Sequence, residues 1–229
     1  MQNKWDWTQQ NPVIRLDFSG LAYSNSDELI VSLTEFMDGA AGKHNLSLSK
    51  TALPDKFGEL IEKLHQSTGQ QVVVLVDEYD KPITDHLSNP ETMKANQKIL
   101  HDFYQVLKAA DEHIRFVFMT GVSKFSGLSI FSALNSLNDI TLNYKYASIC
   151  GYTQEELERN FTEYLDDVAQ YLSMNKEELL NEIRIRHNGY SWDGRSGELK
   201  INKVSVLEKE ILFLCFFMLC RIRKSNIVG

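Results

Sequence analysis

The sequence predicts an α/β protein in which a parallel sheet is flanked by helices, with a small helical subdomain toward the C-terminal end. Three short segments have the length and pattern of strands: Pro12–Ser19, which partly alternates, Val72–Val76, which is apolar throughout and mostly β-branched, and Ile114–Thr120. The segments between these runs carry apolar residues at helical spacing. Alternation of strands and helices is typical of right-handed βαβ units, and therefore of a parallel sheet.

Composition is that of an ordinary globular protein. The 229 residues are 43% hydrophobic and 24% charged, which is enough for one sizeable core and a small second subdomain. The net charge of -7 argues against direct nucleic-acid binding, because that affinity comes mainly from Lys and Arg on phosphates; a local basic patch is still compatible with it. The three cysteines form no paired framework and have no zinc spacing, which favours a reducing, cytoplasmic setting.

We expect neither a signal peptide nor a membrane span. Trp5, Asp6 and Trp7 stand near the N-terminus, where a signal peptide would begin its apolar run. Ile211–Cys220 is ten apolar residues long, whereas a helix needs about 20 to cross a bilayer. We interpret residues 208–229 as an aberrant or truncated tail, with a tail anchor as the alternative.

The first predicted strand leads into two helices. A turn at Ser19 ends the strand, and Ser24 or Ser26 is the predicted cap of the helix that follows. The second helix begins at Pro54 and runs to about Gln66. The two apolar faces consist of Leu29, Ile30, Leu33, Phe36 and Met37 in the first helix, and of Phe57, Leu60, Ile61 and Leu64 in the second.

Between these helices, Gly39–His44 has the glycine and the lysine of a phosphate-binding loop. A Walker A loop has the pattern Gly-x-x-x-x-Gly-Lys-Ser/Thr and follows a strand. Here Met37 stands where the first glycine belongs, His44 replaces the Ser or Thr, and the preceding element is helical. We therefore do not interpret this stretch as a nucleotide site.

The middle apolar run ends in an acidic pair, Asp77 and Glu78. The run is apolar without alternation, which predicts a central strand buried on both faces. Ligands bind at the carboxyl ends of strands in an open α/β sheet, so both carboxylates are expected where a site would lie. The pattern is that of a Walker B strand: Asp77 would help to hold Mg²⁺, and Glu78 would orient or deprotonate the water that attacks a γ-phosphate. The alternative is a buried strand followed by an acidic turn.

The third strand ends at Thr120, after a predicted helix over Glu91–Ala110. In a βαβ unit Thr120 is expected beside Glu78, where a hydroxyl can bind the γ-phosphate or the attacking water, as sensor positions do in nucleoside triphosphatases. A plain strand-ending Thr-Gly turn is the alternative. Lys124, in the loop that follows, is a candidate phosphate contact, although a lone loop lysine is more often simply solvated.

Shorter elements are predicted in the C-terminal half. A short helix over Ser129–Asn135 is followed by an edge strand at Ile140–Leu142. The capping box Thr153–Glu156 then starts a helix to about residue 172. A cap at Ser173 or Asn175 starts the last helix, which runs through residue 186. We therefore expect a core at 1–150, a helical, lid-like subdomain at 151–207 and the tail at 208–229.

Four stretches carry a more selective signature: Pro12–Ser19, Val74–Ile83, Met119–Ser126 and Gly151–Leu157. The motif Val-Asp-Glu-Tyr-Asp-Lys-Pro, followed by Met-Thr-Gly-Val-Ser-Lys-Phe-Ser, is far more specific than a Walker B strand alone. In order and approximate spacing these stretches resemble the bacterial AAA-ATPase-like family. The resemblance covers roughly residues 5–207.

The resemblance implies a P-loop NTPase of the ASCE/AAA type that uses Mg²⁺ and ATP. Asp77 corresponds to the Walker B aspartate, Glu78 to the catalytic glutamate and Thr120 to a sensor, while Lys124 receives no defined role. Many members of the family carry a nuclease-like domain of the PD-(D/E)XK type after the ATPase. The family's Walker A loop precedes the strand at Pro12–Ser19, so we expect an incomplete P-loop core that lacks its phosphate loop and is inactive alone.

Two other functions also fit the sequence. The chain could be a non-catalytic interaction module, whose helical segment and turn-rich loop at residues 187–194 dock a protein partner. It could also be one chain of a split ATPase, with a second chain supplying the P-loop. Magnesium-dependent ATP binding separates the catalytic functions from the non-catalytic one.

Overall fold

A computed structural model describes residues 8–122, 137–141, 143–146, 154–187 and 217–222. Its strands are β1 (Val13–Asp17), β2 (Val72–Asp77), β3 (Ile114–Gly121), β4 (Asn138–Asp139) and β5 (Phe217–Ile222). They form one sheet in the order β1-β2-β3-β5-β4. β1, β2 and β3 are parallel, whereas β5 runs antiparallel to β3. The predicted α/β fold with a parallel sheet is confirmed.

Helices connect the parallel strands. α1 (Ser26–Lys43) and α2 (Leu53–Thr68) lie between β1 and β2 in the chain, and α3 (Lys81–Thr84) and α4 (Pro90–Ala109) lie between β2 and β3. After β4 come α5 (Gln154–Asn160), α6 (Thr162–Tyr171) and α7 (Lys176–His187). Among the residues described, no helix has the length and the apolar character needed to cross a membrane.

The main core lies on one face of the parallel sheet. The buried strand residues of β1 and β2 alternate along each strand and are Ile14, Leu16, Val72, Val74 and Val76. They pack with the apolar faces of α1, α2 and α4, where Phe57 stacks on Phe103 with ring centroids 4.3 Å apart. Val73 and Leu75, on the other face of β2, are half-buried. β2 was predicted to be buried on both faces, and this is wrong for the face that carries Val73 and Leu75. The helices α1, α2 and α4 all pack into the cluster on the opposite face.

The first helix has a cap that the sequence interpretation missed. The side-chain oxygen of Asn25 accepts a hydrogen bond from the Glu28 N–H at 2.9 Å, and the Glu28 carboxylate accepts one from the Ser24 N–H at 2.7 Å. The cap is therefore Asn25, and the prediction of Ser24 or Ser26 is wrong, since asparagine caps helices as well as serine does. α1 continues through residues 39–43, so the stretch excluded as a phosphate loop is helical.

The predicted helix up to residue 172 is divided in two. It is interrupted at Phe161, whose φ of -120° and ψ of 21° separate α5 from α6. α7 begins after Asn175, one of the two predicted caps, whose side-chain oxygen accepts a hydrogen bond from the Glu178 N–H at 2.8 Å. Thr153, the predicted cap of the first of these helices, lies outside the described residues.

The edge strand predicted at Ile140–Leu142 is wrong for Ile140 and Thr141, while Leu142 lies outside the described residues. The strand is Asn138–Asp139, and the Asp139 carboxylate accepts a hydrogen bond from the Thr141 N–H at 3.1 Å, which turns the chain directly after it. The helix predicted over Ser129–Asn135 lies outside the described residues. β5 falls within the segment interpreted as a tail, and there it pairs with β3.

The chain separates into two compact units. One consists of Met1–Asn138 and Cys215–Gly229, and the other is Asp139–Leu214. The second unit has its own small apolar cluster, formed by residues of α5, α6 and α7: Leu157, Leu165, Ala169 and Leu179. The predicted boundaries at residues 150 and 207 stay predictions.

Candidate functional site

Polar side chains converge at the carboxyl ends of the parallel strands. Asp17 and Asp77 are neighbours in the register of β1 and β2. On the other side of β2, the Thr120 hydroxyl of β3 donates a hydrogen bond to Oδ1 of Asp77. Thr120 was predicted to lie beside Glu78, and it lies beside Asp77, one residue earlier in the chain. The register pairs Val76 with Met119, so Thr120 comes next at the level of Asp77, and side chains at the same level of adjacent parallel strands point to the same face of the sheet.

Glu78 leaves the strand in an unusual backbone conformation. Its φ is 53°, in the left-handed region, which costs a side-chain-bearing residue about 1 kcal/mol or more. This conformation turns the chain out of β2 toward α3. The Oε2 atom of Glu78 is buried and has no hydrogen-bond partner within the described part of the chain. A strained residue with an unsatisfied carboxylate oxygen at a strand end is a candidate for binding a ligand or a water.

The protonation of Glu78 reflects opposing influences. Burial raises the pKa of this carboxyl above its usual value, and the positive charge of Lys81 opposes that rise. The negative charges of Asp77, Asp17 and Asp80 raise the pKa further. Nζ of Lys81 lies 3.9 Å from Oε2 of Glu78. Glu78 is therefore a carboxyl whose proton affinity is increased by its surroundings, as is common for groups that exchange protons in a reaction.

Asp80 joins the end of β3 to the turn after Glu78, a contact that the sequence interpretation missed. It is fully buried, and both of its carboxylate oxygens accept the Val122 N–H, at 3.2 and 3.1 Å. The Tyr79 N–H also donates to the Thr120 carbonyl at 2.9 Å. These bonds hold the end of β3 against the turn after Glu78. In the sequence, Asp80 is visible only as a third acidic residue after Asp77 and Glu78. Its partner, Val122, lies 42 positions further along, so no local pattern links the two.

The strand-end residues fit a magnesium ion by the chemistry of their donors. Asp77 and Glu78 offer carboxylate oxygens, and Mg²⁺ prefers oxygen ligands. In the described residues, no three side chains of His, Cys, Asp or Glu are grouped to hold a metal by themselves. Magnesium sites for nucleotides commonly use one or two carboxylates, with phosphates and waters completing the shell. Lys124, the other predicted cofactor contact, lies outside the described residues.

Glu78→Gln is expected to raise the melting temperature at about pH 8 and to leave it unchanged at about pH 4. The pKa of Glu78 is higher in the folded than in the unfolded state, so the fold loses stability as the pH rises from the unfolded-state pKa, and the loss is complete above the folded-state pKa. Glutamine removes that cost. The matched control is Glu35→Gln on an exposed position of α1. A gain that is equal at both pH values would contradict the charge-burial explanation.

The sheet and its polar edge define an α/β protein with a partial P-loop-like fold. A family model described as a predicted AAA-ATPase matches residues 1–131. This match covers more than half of the 229 residues, and the chain belongs to the AAA-ATPase-like family. The resemblance inferred from the four sequence stretches is confirmed.

A relative in Azotobacter chroococcum mcd 1, named "Uncharacterized protein in vnfD 5'region", is 36% identical over 196 residues. The match covers 86% of this chain and 36% of the relative, so the chain spans about a third of that protein's length. No solved structure matches the chain. The relative's name states no activity.

Proposed function

We propose that this chain carries the carboxylate half of a magnesium-dependent ATP-hydrolysing site. The observation that supports this function is the joint position of Asp77, Glu78 and Thr120 at the carboxyl ends of two adjacent parallel strands. Asp77, oriented by the Thr120 hydroxyl, would hold Mg²⁺ directly or through a water. Glu78, whose Oε2 is unsatisfied, would orient and deprotonate the attacking water.

Each residue would have a separate task in such a site. When bound, Mg²⁺ would neutralise the charge that develops on the phosphates. The raised pKa of Glu78 favours its role as a base, because a proton acceptor works best when its pKa lies close to the working pH. The bonds from Asp80 to Val122 and from Tyr79 to Thr120 would keep the two strand ends in register during the reaction.

A phosphate-binding element is also needed. The printed sequence contains no Gly-x-x-x-x-Gly-Lys-Ser/Thr motif, whose backbone N–H groups and lysine would cradle the phosphates. The strand ends carry the carboxylates of Asp17, Asp77, Glu78 and Asp80. Their negative charge repels phosphates unless a cation lies between. We propose that a P-loop from another segment or from a second chain completes the site. This chain alone would then not hydrolyse ATP.

Thermal unfolding with Mg²⁺ and ATP tests this proposal. We expect almost no change in melting temperature for the chain alone. We expect a rise of several degrees for a chimera in which a strand and a P-loop are joined ahead of Pro12. A ligand at a hundredfold excess over its Kd stabilises the folded state by about 2.7 kcal/mol, which corresponds to several degrees for a domain of this size.

Two control variants of the chimera locate the effect. Replacing the lysine of the added P-loop with alanine should remove the rise, and so should Asp77→Ala, because each removes one of the two contacts to the Mg²⁺-ATP complex. A rise that persists in Asp77→Ala would contradict the role of Asp77. A rise in the chain alone that requires both Mg²⁺ and ATP would show that nucleotide binds here without a P-loop.

A further inference from the structure

The side chain of Lys81, next to Glu78, is held between two carboxylates. Lys81, in the first turn of α3, places Nζ 3.9 Å from Oε2 of Glu78 and 3.2 Å from Oδ2 of Asp85. Its side chain is 33% exposed, so it is partly withdrawn from solvent. The ammonium group therefore lies between a carboxylate of the candidate site and a second carboxylate one helical turn further along.

A second layer of contacts fixes the position of Asp85. The Tyr23 hydroxyl donates a hydrogen bond to Oδ2 of Asp85 at 2.9 Å. Nε2 of His86 lies 3.3 Å from the carbonyl oxygen of Ser24, in hydrogen-bonding contact with it. These contacts tie the end of α3 to the segment that precedes α1. Lys81 is thus positioned by a chain of contacts that begins 58 residues earlier in the sequence, at Tyr23.

We infer that Lys81 is a built-in counter-ion of Glu78, which disfavours the approach of a divalent cation to the strand-end carboxylates when no nucleotide is bound. This inference rests on the proposed function, since it takes Asp77 as the residue that holds the metal and Glu78 as the carboxylate beside it. A cation that approaches them is repelled by the ammonium group, and this repulsion is substantial at short range near a protein surface. The anionic phosphates of a nucleotide would offset that repulsion, so metal and nucleotide would bind better together than the metal alone.

The affinity of the full chain for Mn²⁺, measured from the electron paramagnetic resonance signal of the free ion, tests this inference without any need for ATP hydrolysis. We expect Lys81→Met to bind Mn²⁺ about three- to tenfold more tightly than the unmodified chain at low ionic strength. The difference should shrink in high salt, because salt screens exposed charges. Lys81→Arg keeps the positive charge and should restore the weaker affinity.

A matched control comes from α4. Lys98 pairs with Asp102 at 2.6 Å with the same four-residue spacing that relates Lys81 to Asp85, but its side chain is 78% exposed. Lys98→Met makes the same change in net charge and should leave the Mn²⁺ affinity unaltered. The expected result for Lys81→Met is a gain of affinity, which an unfolded variant would not give. Lys81→Gln provides a second test of the same gain.

Asp77→Ala separates a failure of this inference from a failure of the proposed function. If Asp77→Ala weakens Mn²⁺ binding while Lys81→Met leaves it unchanged, the counter-ion role of Lys81 is wrong and the metal site stands. If Asp77→Ala has no effect on either the unmodified chain or Lys81→Met, the ion binds elsewhere and both ideas are overturned. If neither of these two chains binds Mn²⁺, the counter-ion role of Lys81 is wrong, because removing its charge uncovers no metal site, while the proposed ATP site, which also needs phosphates and a P-loop, stands.

Discussion

Replacing Gly121 with alanine is expected to lower the free energy of unfolding by about 3 kcal/mol. A Cβ atom at this position would lie 2.5 Å from Oδ1 of Asp80 and 2.5 Å from Cε1 of Tyr79. Neither neighbour has room to move, since Tyr79 is 1% exposed and Asp80 is fully buried. Overpacking a core costs about 1–3 kcal/mol, and displacing Asp80 from the Val122 N–H adds the loss of a charge-assisted hydrogen bond.

Urea unfolding of Gly121→Ala measures this loss as a lower midpoint at an unchanged slope. The matched control is Gly39→Ala inside α1, where an added Cβ meets nothing within 4 Å. Alanine favours a helix over glycine by about 1 kcal/mol, so this control should be neutral or stabilising. If both variants unfold at the same urea concentration, the close approach at Gly121 does not exist. The Asp80 contacts that hold the end of β3 against the turn after Glu78 would then also be wrong.

The parallel sheet was predictable because its signals are local. Each of β1, β2 and β3 is a short, mostly apolar segment of strand length, and α1, α2 and α4 follow the helical spacing of their apolar residues. The acidic pair at Asp77 and Glu78 was visible for the same reason, since both residues directly follow the apolar run. The family membership also followed from short motifs whose order along the chain can be read directly.

Features that depend on distant contacts were missed or misplaced. The role of Asp80 becomes visible only when Val122 is brought against it by the pairing of β2 and β3. The requirement for glycine at position 121 comes from the ring of Tyr79, which no local pattern reveals. β5 was interpreted as part of a tail because its pairing with β3 depends on an available strand edge, which the apolar composition of Phe217–Ile222 does not indicate.

The largest functional effect is expected from Glu78→Gln in the chimera that carries a P-loop. We expect ATP hydrolysis to fall by a factor of about 100 or more, because a positioned general base typically contributes about 10²–10⁴-fold and glutamine cannot accept the proton of the attacking water. ATP binding should persist, since glutamine keeps the shape of the side chain and leaves Asp77 unchanged. Release of inorganic phosphate measures hydrolysis, and the rise in melting temperature with Mg²⁺-ATP measures binding.

Two comparisons make this result specific to Glu78. Glu35→Gln, at an exposed position of α1, should hydrolyse ATP at the unmodified rate. Asp77→Asn should instead weaken the binding of Mg²⁺-ATP, because the amide is a poorer metal ligand than the carboxylate. If Glu78 has only a structural role, the Glu78→Gln variant should be more stable and keep its activity. If Glu78 is the catalytic base, the variant should be more stable and lose its activity. Equal hydrolysis rates for Glu78→Gln and the unmodified chimera would show that another residue accepts the proton.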